Sequence, residues 1–182
     1  MPGSKLPLRP DQLKLIVDNI KAVDGWNEGD YELALRAEWD NQRLPIIVAL
    51  PRHLKVDYSP TFALMPDGNI VTPHDETAFK KILAHVYTVI VPADAAAIAE
   101  LAVMFGAFGQ PVGRVYTNQI RDRVGEKLKR KETGPVYKKK GSTHVIEFYT
   151  HNYDLLFFCD CIVEITGENV VCKAQLLKKK EN

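Results

Sequence analysis

Cysteine is scarce: three residues in 182, an odd number, and all near the C-terminus at Cys159, Cys161 and Cys172. That count excludes the disulfide framework of a small secreted scaffold, and reduced, core-filling thiols in a cytoplasmic protein are the expectation. Long apolar runs are missing too. The longest lies near Val86 to Ala93, interrupted by Pro92 and followed by Asp94, too short to cross a bilayer, so no membrane association is expected. Met1 to Gln12 has no apolar run after its basic residues, so no secretory signal is expected.

Catalytic and cofactor motifs are equally sparse. The glycines between Gly106 and Gly113 lack the strand and helix pattern of a phosphate-binding loop. His53, His74, His85 and His151 are scattered, with neither the helical spacing of a paired-His metal site nor the order of a catalytic triad. No catalytic residue, metal ligand or cofactor is therefore assigned. Charge excludes little, since 24 basic residues oppose 23 acidic ones. Its distribution is uneven: Met1 to Gly113 carries 10 Lys/Arg against 14 Asp/Glu, and Arg114 to Asn182 carries 14 against 9.

What the sequence does contain is pattern. From Tyr153 the odd positions Tyr153, Leu155, Phe157, Cys159, Cys161, Val163 and Ile165 are apolar, the period of two that marks a strand with one dry face. In the following run the even positions Val170, Cys172, Ala174 and Leu176 are the apolar ones. A two-residue turn at Gly167-Glu168 would pair Ile165 with Val170, Val163 with Cys172 and Cys161 with Ala174, dry face against dry face. Upstream, a turn at His151-Asn152 would set Phe148 against Leu155 and His144 against Cys159. A three-stranded antiparallel meander over Thr143 to Lys178 is therefore expected.

Earlier segments supply helices and short strands. Pro10 opens a helix with Leu13, Ile16, Val17, Ile20 and Val23 at helical spacing and Gly25 at its end. Alternation at Tyr31, Leu33, Leu35, Ala37 and Trp39 predicts a strand, and Leu44 to Leu50 a second, mostly buried one. Leu54, Val56 and Tyr58 alternate between prolines. Pro66-Asp67-Gly68-Asn69 predicts a hairpin between Thr61–Met65 and Asn69–Thr72. Thr72 is expected to cap a helix starting at Pro73, with Phe79, Ile82, Leu83 and Val86 as its buried stripe. Tyr87 to Val91 either ends that helix or forms a short buried strand. An alanine-rich helix over Pro92 to Phe105 is expected to be largely buried. Tyr116, Ile120, Val124 and Leu128 step by four along a further, basic helix.

The fold expected is α+β: an antiparallel β-sheet with a long C-terminal three-stranded meander and three to four helices packed on one face. A single domain over 1–182 is expected, with Gly106, Gly109, Pro111 and Gly113 as a candidate hinge. Three function classes follow. The first is a non-catalytic binding or assembly protein, a homodimer through the meander's second face, where Leu156, Phe158 and Ile162 are too many apolar residues to leave in water. The second is a nucleic-acid-binding module using Arg121, Arg123, Lys127, Lys129, Arg130, Lys131, Lys138, Lys139 and Lys140, against which stands the ordinary reading of a solvated basic face. The third is an enzyme with a pocket between sheet and helices. His144 with Cys159, Cys161 and Cys172 is a weak metal set, because a zinc site needs ligand atoms ~2–2.3 Å from one point and strand side chains stand parallel. Asp160 and Glu164 are expected on the wet face.

Overall fold

The computed structural model of the protein describes residues 6, 8–36, 44–53, 59–73, 75, 77–110, 112–115, 134–152 and 157–179. The expected strand over Leu54 to Tyr58, the basic helix from Tyr116 to Leu128 and the loop after Asn152 lie outside these residues. The class is α+β, and two antiparallel sheets carry it. The chain divides into two compact units, Met1–Ala78 and Phe79–Asn182.

The N-terminal unit begins with helix α1 (Pro10–Asp24), which has proline in its first turn and Gly25 at φ 72° closing it. Gln12 completes the N-terminus by accepting the Arg9 backbone N–H at 2.8 Å, a glutamine reaching back over the first turn. The buried stripe is narrower than the sequence predicts. Gln12, Ile16 and Ile20, spaced by four, face inward, while Leu13 and Val23 stay exposed. Four strands follow in sequential order: β1 (Tyr31–Leu35), β2 (Ile46–Pro51), β3 (Thr61–Leu64) and β4 (Ile70–Val71). The helix supplies Ile16 and Ile20 to a core with Trp26, Tyr31, Ile47, Ala49 and Phe62. Strand β2 is central and buries Ile46, Ile47, Val48 and Ala49 in succession, so both its faces are dry.

The β3–β4 turn forms where the sequence places it. Gly68 N–H donates to the Met65 carbonyl and Met65 N–H to the Asn69 carbonyl, both at 2.9 Å, and Gly68 takes φ 85°. Proline presets the first turn position and glycine accepts the positive φ, which is why this loop is readable from sequence.

In the C-terminal unit, helix α2 (Ala78–Val86) buries Phe79, Ile82, Leu83 and Val86 as expected. Its start is later than expected. Thr72 is not the cap: the Asp75 carboxylate accepts the Thr77 N–H at 2.8 Å and the Thr77 hydroxyl at 2.7 Å, so the chain turns at Asp75 before the helix begins. Tyr87 to Val91 forms no strand, and Val89 and Val91 are exposed.

A short 3₁₀ turn at Pro92–Asp94 leads into α3 (Ala95–Met104), which buries Ala95, Ile98, Ala99, Leu101 and Ala102. Small side chains let it lie against β5 (Arg114–Val115), β6 (Val136–Lys140) and β7 (Thr143–Asn152). Gly106 ends the helix in the left-handed region at φ 61°, with Ala107 N–H on the Ala102 carbonyl and Gly106 N–H on the Val103 carbonyl.

The five-stranded sheet runs β5-β7-β8-β9, with β6 pairing β7 beside β5, where β8 is Phe157–Thr166 and β9 is Asn169–Lys179. The β8–β9 register is the expected one: Cys161 faces Ala174, Val163 faces Cys172 and Ile165 faces Val170. The β7–β8 register is not. Phe148 faces Cys161 and His144 faces Ile165, because β7 continues through Asn152 and the hairpin closes with a longer connection. The displacement is six residues, an even number, so each side chain keeps its expected face although its partner changes.

Candidate interaction surface

Parity sorts the C-terminal sheet into two faces. On the dry face Ile146, Phe148 and Thr150 of β7 meet Cys159, Cys161, Val163 and Ile165 of β8, all buried. Phe108 packs edge-on against Phe148 with ring centroids 6.0 Å apart. The second face is mixed. Val145 and Tyr149 are buried there, whereas Phe158, Asp160, Ile162 and Glu164 are half-buried. Lys138 binds Glu147 at 2.6 Å and Lys173 binds Glu164 at 2.9 Å, each reaching diagonally across neighbouring strands.

Of the residues expected at an interface, Phe158 stacks on His151 with centroids 4.2 Å apart and planes 22° from parallel. Ile162 lies between Glu147 of β7 and Lys173 of β9. Leu156 lies outside the described residues. Burial pushes the His151 imidazole below its ordinary value, so the stacked ring favours the neutral form.

Of the expected basic residues, Arg121, Arg123, Lys127, Lys129, Arg130 and Lys131 lie outside the described residues. Lys138, Lys139 and Lys140 are exposed on β6, a strand just before the meander that the sequence pattern does not predict. An edge strand carrying three lysines has no apolar alternation to reveal it. The tight Gly141-Ser142 turn before Thr143 is the signal that could have done so.

The thiols and His144 do not form a site. His144 faces Ile165, and its Nδ1 lies 2.8 Å from the Tyr137 hydroxyl. Cys159 faces Thr150, and Cys161 lies 3.7 Å from the Thr150 hydroxyl. Burial raises the Cys159 thiol and pushes Cys172 up to about 11, against a smaller downward pull from Lys80. Thiols held this way are neutral at physiological pH and are poor nucleophiles. Among the described residues, no three His, Cys, Asp or Glu side chains gather as a metal site.

Two open grooves belong to the N-terminal unit. One runs along α1 past Asp11, Lys14, Leu15, Asp18 and Asn19, and one of about 390 Å³ lies between Arg9, Gln12, Pro45, Leu64 and the β3–β4 turn. The hydrogen-bonded pair Arg9–Asp11 lowers the carboxyl and raises the guanidinium, so both stay charged rather than exchanging protons near neutrality.

The edge of β9 was missed by sequence reasoning. Leu176 is 57% exposed and Val171 37%, two large apolar side chains on the outermost strand. Alternation tells which face of a strand is dry, but not which strand ends the sheet.

Comparison of the chain with known protein families, with curated proteins and with solved structures finds no match.

Proposed function

We propose that the protein is a non-catalytic binding or assembly protein that associates with a second copy of itself through its C-terminal sheet. The observation that carries this reading is the apolar surface gathered at one side of that sheet. On that side, the second face, half-buried Phe158 and Ile162 of β8 share the surface with exposed Val171 of β9, which pairs with Glu164. Raised rather than lowered thiols also favour a binding role over nucleophilic chemistry. Static light scattering should give twice the chain mass. Phe158→Glu and Ile162→Glu should each return it to the chain mass while keeping the wild-type circular dichroism spectrum. A wild-type protein that stays monomeric at high concentration overturns the proposal.

The exposed run Lys138, Lys139 and Lys140 supports a second reading, binding to nucleic acid, although Glu147 already engages Lys138. Affinity for RNA or DNA that fades steeply with added salt would favour it.

A further inference from the structure

We propose that the self-association is built by β9 pairing antiparallel with β9 of a second copy, on a two-fold axis that passes through Ala174. The inference rests on the reading that the C-terminal sheet self-associates, and it specifies the contact. Among the described residues β9 pairs only with β8, so its outer side presents backbone N–H and C=O groups to another strand.

Natural sheets protect such edges with prolines, bulges and charge. Between Asn169 and Leu176 this edge has little of that protection. The stretch contains no proline, and the register irregularity of β9 falls beyond it, opposite Phe158 and Cys159. Lys173 is its one cation, and the ammonium is already held by Glu164 at 2.9 Å.

The register follows from side-chain pairing. A two-fold axis perpendicular to the sheet preserves its faces, so even positions meet even positions and odd meet odd. An axis at Lys173 would set two lysines directly opposite one another, which is unfavourable. Centred on Cys172, the pairing would place exposed Leu176 opposite Glu168. An axis at Gln175 would set Lys173 against Leu177. With the axis at Ala174, Cys172 meets Leu176 of the second copy, Lys173 meets Gln175, and Val171 meets Leu177. Exposed Leu176 is then covered by Cys172, Val171 lies opposite Leu177 at the register irregularity, where the regular pairing ends, and no like charges are opposed. Phe158 and Ile162 border this junction from β8, immediately behind the paired strands.

Facing residues of an antiparallel pair have Cα atoms ~4.5–5.5 Å apart, within the span of a disulfide. The test uses the full chain with Cys172→Ala and Ala174→Cys, mildly oxidised and run without reductant. It should migrate at twice the chain mass and return to the chain mass on reduction. In a second variant, Leu176→Cys should cross-link through native Cys172 and lose the cross-link when Cys172→Ala is added. Cys161 faces position 174 and Cys159 faces position 176 within the same chain, so both variants also carry Cys159→Ala and Cys161→Ala. A dimer by light scattering in which neither pair cross-links overturns the β9 contact but leaves self-association standing. Cross-linking of the unmodified chain through Cys172 alone overturns the register. A monomer overturns both this inference and the reading on which it rests.

Discussion

The two units both bury an antiparallel sheet, but by different means. In Met1–Ala78 the strands are two to six residues long, and one helix contributes Ile16 and Ile20 to the core. In Phe79–Asn182 the last three strands are ten, ten and eleven residues long, and β7 buries Val145, Ile146, Phe148, Tyr149 and Thr150 on both its faces. Short strands offer few cross-strand pairs, so their register depends on local locks at the turns. Long strands carry many pairs and hold a register by accumulated side-chain matching. The extended edge of β9 is a consequence of the second solution.

The largest expected effects come from the two cores. Phe148 is fully buried, and Phe148→Ala should cost about 3–5 kcal/mol, with Ile20→Ala costing about 2–5 kcal/mol. Both tryptophans, Trp26 and Trp39, lie in the N-terminal unit, so urea unfolding followed by fluorescence reports on that unit and circular dichroism on the whole chain. The division between units falls between Ala78 and Phe79, consecutive residues of α2, rather than in a linker. We therefore expect the chain to unfold as one domain, with both probes giving one midpoint in both variants. Midpoints that separate, fluorescence moving only with Ile20→Ala, would split the domain in two.

This contrast explains what the sequence made legible. The β3–β4 and β8–β9 turns were readable because each is short and chemically marked, by Pro66-Asp67-Gly68 in one and Gly167-Glu168 in the other. A short turn leaves one register. The β7–β8 connection has no such mark, and alternation continues from Tyr153 into Phe157 without a break. Parity therefore fixed which side chains are dry but left their partners free to slide by six residues. The same limit applies to the candidate surface. Phe158 and Ile162 could be placed on the second face by parity, whereas β6 was hidden by its lysines and the exposure of β9 depends on strand order, a tertiary property.

The turn lock of the N-terminal unit gives the next effect in size. Gln12 is buried and makes two bonds at once. Its carbonyl oxygen accepts the Arg9 N–H at 2.8 Å, and its amide donates to the Gly68 carbonyl at 2.6 Å. One side chain thus ties the start of α1 to the β3–β4 turn. Gln12→Ala leaves both backbone groups without these partners and should cost about 1–3 kcal/mol, read from the urea midpoint. Gln12→Glu should recover part of the loss, because a carboxylate can still accept from Arg9 but cannot donate to Gly68. Full recovery in that variant would show that the bond to the turn contributes nothing.

The smallest effect is expected at the corresponding turn of the C-terminal unit. Gly167 sits at φ 58°, and a Cβ built there would meet no atom within 4 Å, so substitution is opposed by backbone conformation alone. Gly167→Ala should cost about 1 kcal/mol, the ordinary penalty for an L-residue held in the left-handed region. The register should survive, since the pairs from Thr166–Asn169 back to Cys159–Leu176 match independently of the turn. Hydrogen exchange across β8 and β9 measures this directly. Protection should fall near Thr166 and Asn169 and stay unchanged at Cys161 and Ala174. If protection were lost along the whole of β9, the turn rather than the accumulated pairing would hold the long strands in place, and the distinction between the two units would disappear.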